Sequence, residues 1–226
     1  MLRPIDDSIF MNKFITLFFC VFIIAIKINA QKKFSEATIS YDIVINTGSD
    51  KPQAADFFDG ATSTVYLKGP KSRTEMVSSL GTQATIIDNL KNSIFILREY
   101  GEQKFIIHLT PANWKEANGK FENVQFSILD DTKTILGYKC QKAIGKLNDG
   151  TSFVVWHTTD LLPENKDFQY ANRNLPGLAM EYESIVGTLK VTYTVSKINF
   201  NPVAAPKFDL PKAGYRILTY EESKGQ

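Results

Sequence analysis

The chain has 226 residues, of which 43% are hydrophobic and 22% charged, with 26 basic against 24 acidic side chains. This is the make-up of a globular protein able to bury a core. The near-balanced charge, with no run of Lys or Arg interleaved with aromatics, excludes a nucleic-acid-binding surface.

The N-terminus carries a targeting pattern. Met11-Asn12-Lys13 supplies a short basic start, residues 14–26 are almost all apolar, and Ile28-Asn29-Ala30 ends on a small residue before Gln31. That order predicts a secretory signal peptide cleaved after Ala30. The apolar run is short of the ~20 residues that a spanning helix needs. Cys20 follows the bulky Leu17-Phe18-Phe19 and lies close to Met11, which does not suit a lipidation site. Residues 1–10, charged at Arg3, Asp6 and Asp7, fit poorly before such a segment, so synthesis is expected to start at Met11. The expectation is an exported protein of the periplasm or outer cell envelope. Residues 31–226 would form one domain of near-neutral charge, with Cys140 its only cysteine.

From there the chain reads as sheet. Phe34 to Asn46 alternates, with Ala37, Ile39, Tyr41, Ile43 and Ile45 on one face, as a half-buried strand requires. Residues 47–60 read as a loop, with one helical turn available at 54–58. Strands follow at 61–68 and 71–79 across Gly69-Pro70, then at 83–87, 93–100 and 103–109, each separated from the next by a polar turn. Such short, sequential spacing favours an antiparallel meander over parallel units with long crossovers.

One helix is predicted at 111–118, capped by Thr110, opened by Pro111 and stopped by Gly119, with Trp114 and Ala117 on one side. Residues 121–129 resume the sheet, and Asp130-Asp131-Thr132-Lys133 is expected to turn the chain. A hairpin then joins 137–147 to 151–158 across Asn148-Asp149-Gly150. Leu161-Leu162-Pro163 ends the second strand. Leu175-Pro176-Gly177-Leu178 is a further turn, in which Gly177 is expected to take a positive φ. Strands at 179–184 and 188–200 and a short one within 215–220 complete the chain. No internal repeat or linker divides it. The prediction is a mainly β domain, a curved antiparallel meander of about ten or eleven strands with one short helix, either an open half-barrel or barrel-like.

The order Gly137-Tyr138-Lys139-Cys140-Gln141-Lys142-Ala143, then Val155-Trp156-His157-Thr158, then Asn174-Leu175-Pro176-Gly177-Leu178 and Glu181-Tyr182-Glu183 resembles the bacterial envelope family named for its GLPGLI motif. It is also similar to a neighbouring group of secreted domains of unknown function. Asn174 stands where that motif has its first Gly, and Ala179-Met180 where it has an apolar Ile. The resemblance implies an exported all-β protein, similar to the half-barrels of lipoprotein carriers, and carries over no catalytic residue.

Catalytic chemistry finds little support in the residues. His108 and His157, the only histidines, come without an HExxH or paired-cysteine pattern, so no metal or other cofactor is expected. Cys140 could act as a nucleophile beside a histidine, but its strand position suits a small core residue better. The acidic residues, among them Glu181 and Glu183, fall in turns or at alternating strand positions, as on a solvated surface.

The expected function is therefore non-catalytic binding of an apolar or lipid-like ligand in the concave face of the sheet. Tyr41, Ile43, Phe95, Leu97, Trp114, Trp156 and Met180 are the candidate ligand-binding residues. Two alternatives remain: an envelope module that binds a protein partner through a loop or sheet edge, and a thiol-dependent enzyme at Cys140. No nucleic acid and no membrane span are expected in the mature chain.

Overall fold

The computed structural model describes residues 31–46, 60–186 and 189–225, all within one compact unit, Gln31–Gln226. The expected signal peptide, and the loop at 47–59 with its helical turn, lie outside the described residues.

Alternating apolar and polar residues with turns between them produce strands in chain order. These are β1 (Lys32–Phe34), β2 (Glu36–Asn46), β3 (Thr62–Lys68), β4 (Lys71–Ser78), β5 (Gly81–Asp88), β6 (Ser93–Tyr100) and β7 (Gln103–Leu109). After helix α1 (Pro111–Ala117) come β8 (Gln125–Ile135), β9 (Tyr138–Lys146), β10 (Ser152–Thr158), β11 (Leu161–Pro163), β12 (Leu178–Val186), β13 (Leu189–Asn199) and β14 (Arg216–Leu218), then α2 (Tyr220–Ser223). The mainly β, antiparallel architecture is the expected one, and the sheet is open. Twelve strands form one sheet in the order β14-β7-β6-β5-β4-β3-β2-β13-β12-β10-β9-β8, while β1 and β11 pair separately. Among the described residues of the large sheet, only β14 runs parallel to its neighbour.

Four local expectations are corrected. First, the predicted strand at 34–46 breaks at Ser35, so β1 leaves β2 and pairs in parallel with β11. Second, Asp130 to Lys133 does not turn the chain. β8 runs on to Ile135 with a register shift between Ile128 and Thr132, and the turn falls at Leu136 (φ 49°) and Gly137 (φ 80°). Two successive residues at positive φ match the twist of a tight hairpin, whereas the acidic pair is taken up as a bulge on the sheet edge. Third, Gly177 does not have a positive φ. It is glycine because a Cβ there would lie 1.9 Å from the Thr158 carbonyl oxygen. Fourth, the last strand is only three residues, and Thr219 then caps α2 by accepting from the Glu222 amide.

Helix α1 forms where expected. Thr110 Oγ1 accepts from the Asn113 amide, and Asn113 returns the bond to the Thr110 backbone, satisfying two donors of the first turn.

The core divides by sheet face. Tyr41, Ile39, Val65, Leu67, Met180 and Val195 belong to the main buried cluster. At the β5–β7 end, Ile87, Ile94, Ile107 and Leu109 are covered by Trp114, Leu218 and Tyr220. The opposite face of those strands, Ala84, Ile86, Leu97 and Ile106, is covered by Leu210 and Tyr215 from the C-terminal segment. Both faces are buried there, which is why β6 reads Ile-Phe-Ile-Leu without alternation.

Candidate ligand cavity

Residues directly opposite one another in paired strands share a face, so the register alone traces a row across the sheet. Tyr182 stands opposite Tyr193, and Tyr193 opposite Ile43. Tyr41 stands opposite Ser63, Ser63 opposite Met76, and Met76 opposite Gln83. Gln83 faces Arg98, which in turn faces Phe105.

A cavity of about 710 Å³ lies along this face. Among the described residues its apolar and aromatic lining comes from Ile43, Met76, Leu80, Tyr100, Tyr182, Val191 and Tyr193. Its polar lining comes from Ser63, Thr74, Ser78, Gln83, Thr85 and Ser184. Tyr100 on β6 and Tyr182 on β12 are six strand spacings apart, about 29 Å along a flat sheet. One cavity touches both, so the sheet must curl its face inward. The volume falls within the range of about 300–1,000 Å³ common for small-molecule sites.

The wall is stiff on one side. Tyr182 and Tyr193 stack with their ring centroids 4.8 Å apart, and Tyr41 meets Tyr182 edge-on at 5.7 Å. The Tyr41 hydroxyl donates to the Ala179 carbonyl at 3.1 Å. Burial pushes the phenols of Tyr41, Tyr182 and Tyr193 up, so all three are neutral donors at any physiological pH.

The seven predicted ligand-binding residues are dispersed. Ile43 lines the cavity. Tyr41 stands behind it, opposite the lining Ser63 and against Tyr182. Met180 is fully buried in the main core, and Trp156 packs on that core with the Lys133 ammonium 4.5 Å from its ring. Trp114 seals the β5–β7 end, edge-on to Tyr170, beside a smaller hollow of about 270 Å³. Phe95 and Leu97 lie on the face away from the large cavity, since Ile96, not they, stands opposite the lining Thr85. Phe95 instead stacks on the exposed His108 at 4.7 Å. Sequence reasoning missed Met76, Gln83, Tyr182 and Tyr193. Alternation in β12 and β13 signalled Tyr182 and Tyr193, and no local signal marked Gln83 on β5.

Cys140 and His157 do not assemble a nucleophile. His157 stands opposite Gln141, so its imidazole and the neighbouring Cys140 thiol leave the ribbon on opposite faces. Cys140 is fully buried, and burial pushes its thiol up to about 11, so it stays protonated. His157 is 1% exposed, neither ring nitrogen has a hydrogen-bond partner, and burial draws its pKa down. Among the described residues no group of three or more His, Cys, Asp or Glu could hold a metal ion.

Comparison with known proteins gives one family match. Residues 64–165 match the family described as the N-glycanase peptide, N-terminal domain. The match covers less than half of the chain. It is a different family from the GLPGLI-motif one expected from residues 137–183. No curated protein matches the chain. Among solved structures it is similar to an uncharacterized conserved protein from Thermus thermophilus, at 9% identity and a TM-score of 0.49 over 88% of this chain and 98% of that one. It is also similar to PNGF-II, at 13% identity and a TM-score of 0.43 over 82% of this chain. MucB matches at 10% identity and a TM-score of 0.41, over 79% of this chain and 58% of that one. The chain spans only 31% of the PNGF-II chain. At these scores and identities the likenesses carry no function across.

Proposed function

We propose that the chain is an exported, non-catalytic binding protein of the cell envelope that holds an apolar, lipid-like ligand against the inward face of its sheet. The observation that carries this reading is the cavity of about 710 Å³. It combines aromatic and aliphatic walls with a few hydroxyls and one amide, a lining suited to an extended apolar molecule with a polar end. The match of residues 64–165 to an N-glycanase N-terminal domain is in keeping with a secreted binding module. The resemblance of residues 137–183 to GLPGLI-motif envelope proteins supports the same compartment. The protonated, enclosed Cys140 favours binding over thiol chemistry.

Native mass spectrometry on the exported full chain tests the proposal. A copurified apolar molecule, lost from a Ser184→Trp variant whose indole would occupy the cavity, is the expected result. Repeated absence of any adduct, together with no uptake of added lipid, would overturn it.

A second reading has one observation in its favour. β8 is an eleven-residue edge strand, paired only with β9, on which Ile128 is exposed. An open edge of this length can accept a partner strand. Its bulge and the charges at Asp130 and Asp131 blunt it, so the cavity remains the stronger candidate.

A further inference from the structure

On the cavity face, the register from β2 through β7 places Ala, Ile, Tyr, Val, Leu, Ser, Thr, Met, Gln and Phe side chains, and one charge. That charge is Arg98. It stands directly opposite Gln83, a cavity-lining residue, and two positions along β6 from Tyr100, which also lines the cavity. Neighbouring acids are committed elsewhere. Glu75 pairs with Arg73, and Glu99 accepts from Tyr215 and pairs with Lys104, all on the opposite face. The Arg98 Nε is buried and has no hydrogen-bond partner. An unpaired guanidinium donor removed from water is costly, and a carboxylate or phosphate is the group whose geometry best satisfies it.

We infer that the cavity takes an anionic amphiphile, with its apolar chain along the Ile43, Met76 and Tyr193 wall and its acidic headgroup at Arg98. This rests on the binding function proposed above and names the ligand class. Gln83 and Tyr100 flank Arg98 on the same face, with the Tyr100 hydroxyl donating to the Gln83 Oε1 at 3.5 Å, which leaves the Gln83 amide nitrogen as the neighbouring donor to such a headgroup. The positive charge selects against the uncharged analogue, because a hydroxyl end can accept a hydrogen bond but leaves the guanidinium charge uncompensated.

Isothermal titration calorimetry on the full chain tests the inference, with oleate, lysophosphatidate and oleyl alcohol as probes. The wild type should bind at least one acid at least about tenfold more tightly than the alcohol. The tighter of the two acids identifies the headgroup as carboxylate or phosphate. Arg98→Met should lose that preference while keeping its affinity for the alcohol, and Arg98→Lys should retain part of it. Circular dichroism and thermal melting confirm that each variant is folded. Equal affinity of the wild type for acids and alcohol, or a preference that survives in Arg98→Met, overturns the inference and leaves the binding function standing. Binding of none of the three overturns both.

Discussion

Gly177 and Gly150 separate two reasons for a glycine. A Cβ on Gly177 would meet the Thr158 backbone, whereas Gly150 has a φ of +86° and open space around it. Gly177→Ala is therefore expected to cost about 3 kcal/mol, as overpacking against an unyielding backbone does. Gly150→Ala should cost about 1 kcal/mol, the strain of a left-handed L residue. Chemical denaturation of both variants checks the difference. His157 makes a prediction in pH. Its folded pKa lies below the ordinary 6.5, so the unfolded chain binds a proton that the folded chain resists. Stability should thus be fully present above the ordinary 6.5 and decline as the pH falls below it. Glu36, Glu99 and Glu122 have lowered pKa values, so their contribution is present above the ordinary 4.5 and is lost only at lower pH. The window from pH 7 to 5 therefore isolates His157, and His157→Gln should flatten it. Urea midpoints across that window decide the matter. Cys140 should resist iodoacetamide in the native protein and react once it is unfolded, since the thiol is buried and protonated.

At the scale of elements, most of the strands were legible because their signal is local. β3, β6 and β7 lie within a residue of the boundaries read from alternation and turns, and Thr110 with Pro111 announced α1. The failures share a cause, which is that pairing is not written in any one segment. Nothing in residues 32–34 says that β1 will leave β2 for β11, and nothing in Asp130-Asp131 distinguishes a bulge from a turn. The candidate site was read less well than the fold. Where both faces of a strand are buried, as in β6, hydrophobicity cannot choose the cavity side, and Phe95 and Leu97 fall on the far one. The same pairings give a test of the wall. Tyr41 on β2 donates across to the Ala179 carbonyl on β12, so Tyr41→Phe should cost about 1 kcal/mol. Its ligand affinity should change little, because the ring that supports Tyr182 is retained.

At the scale of the molecule, a sheet of twelve strands cannot stay flat, and this one turns the face of β2–β6, β12 and β13 in on itself. The two ends of that curl are closed differently. Trp114, Leu218 and Tyr220 plug the β5–β7 end, and Leu175 covers Ala143, Val155 and Ala179 at the other. Between them the stacked Tyr182 and Tyr193, with Met76 and Ile43, leave space that their own side chains do not fill. Binding of the fluorescent apolar probe 1-N-phenylnaphthylamine to the full chain measures that claim most directly. Saturable binding at one site is expected, abolished in a folded Ser184→Trp variant and competed by a long-chain lipid. Saturable binding that is unchanged in Ser184→Trp, or no binding at all, would contradict it.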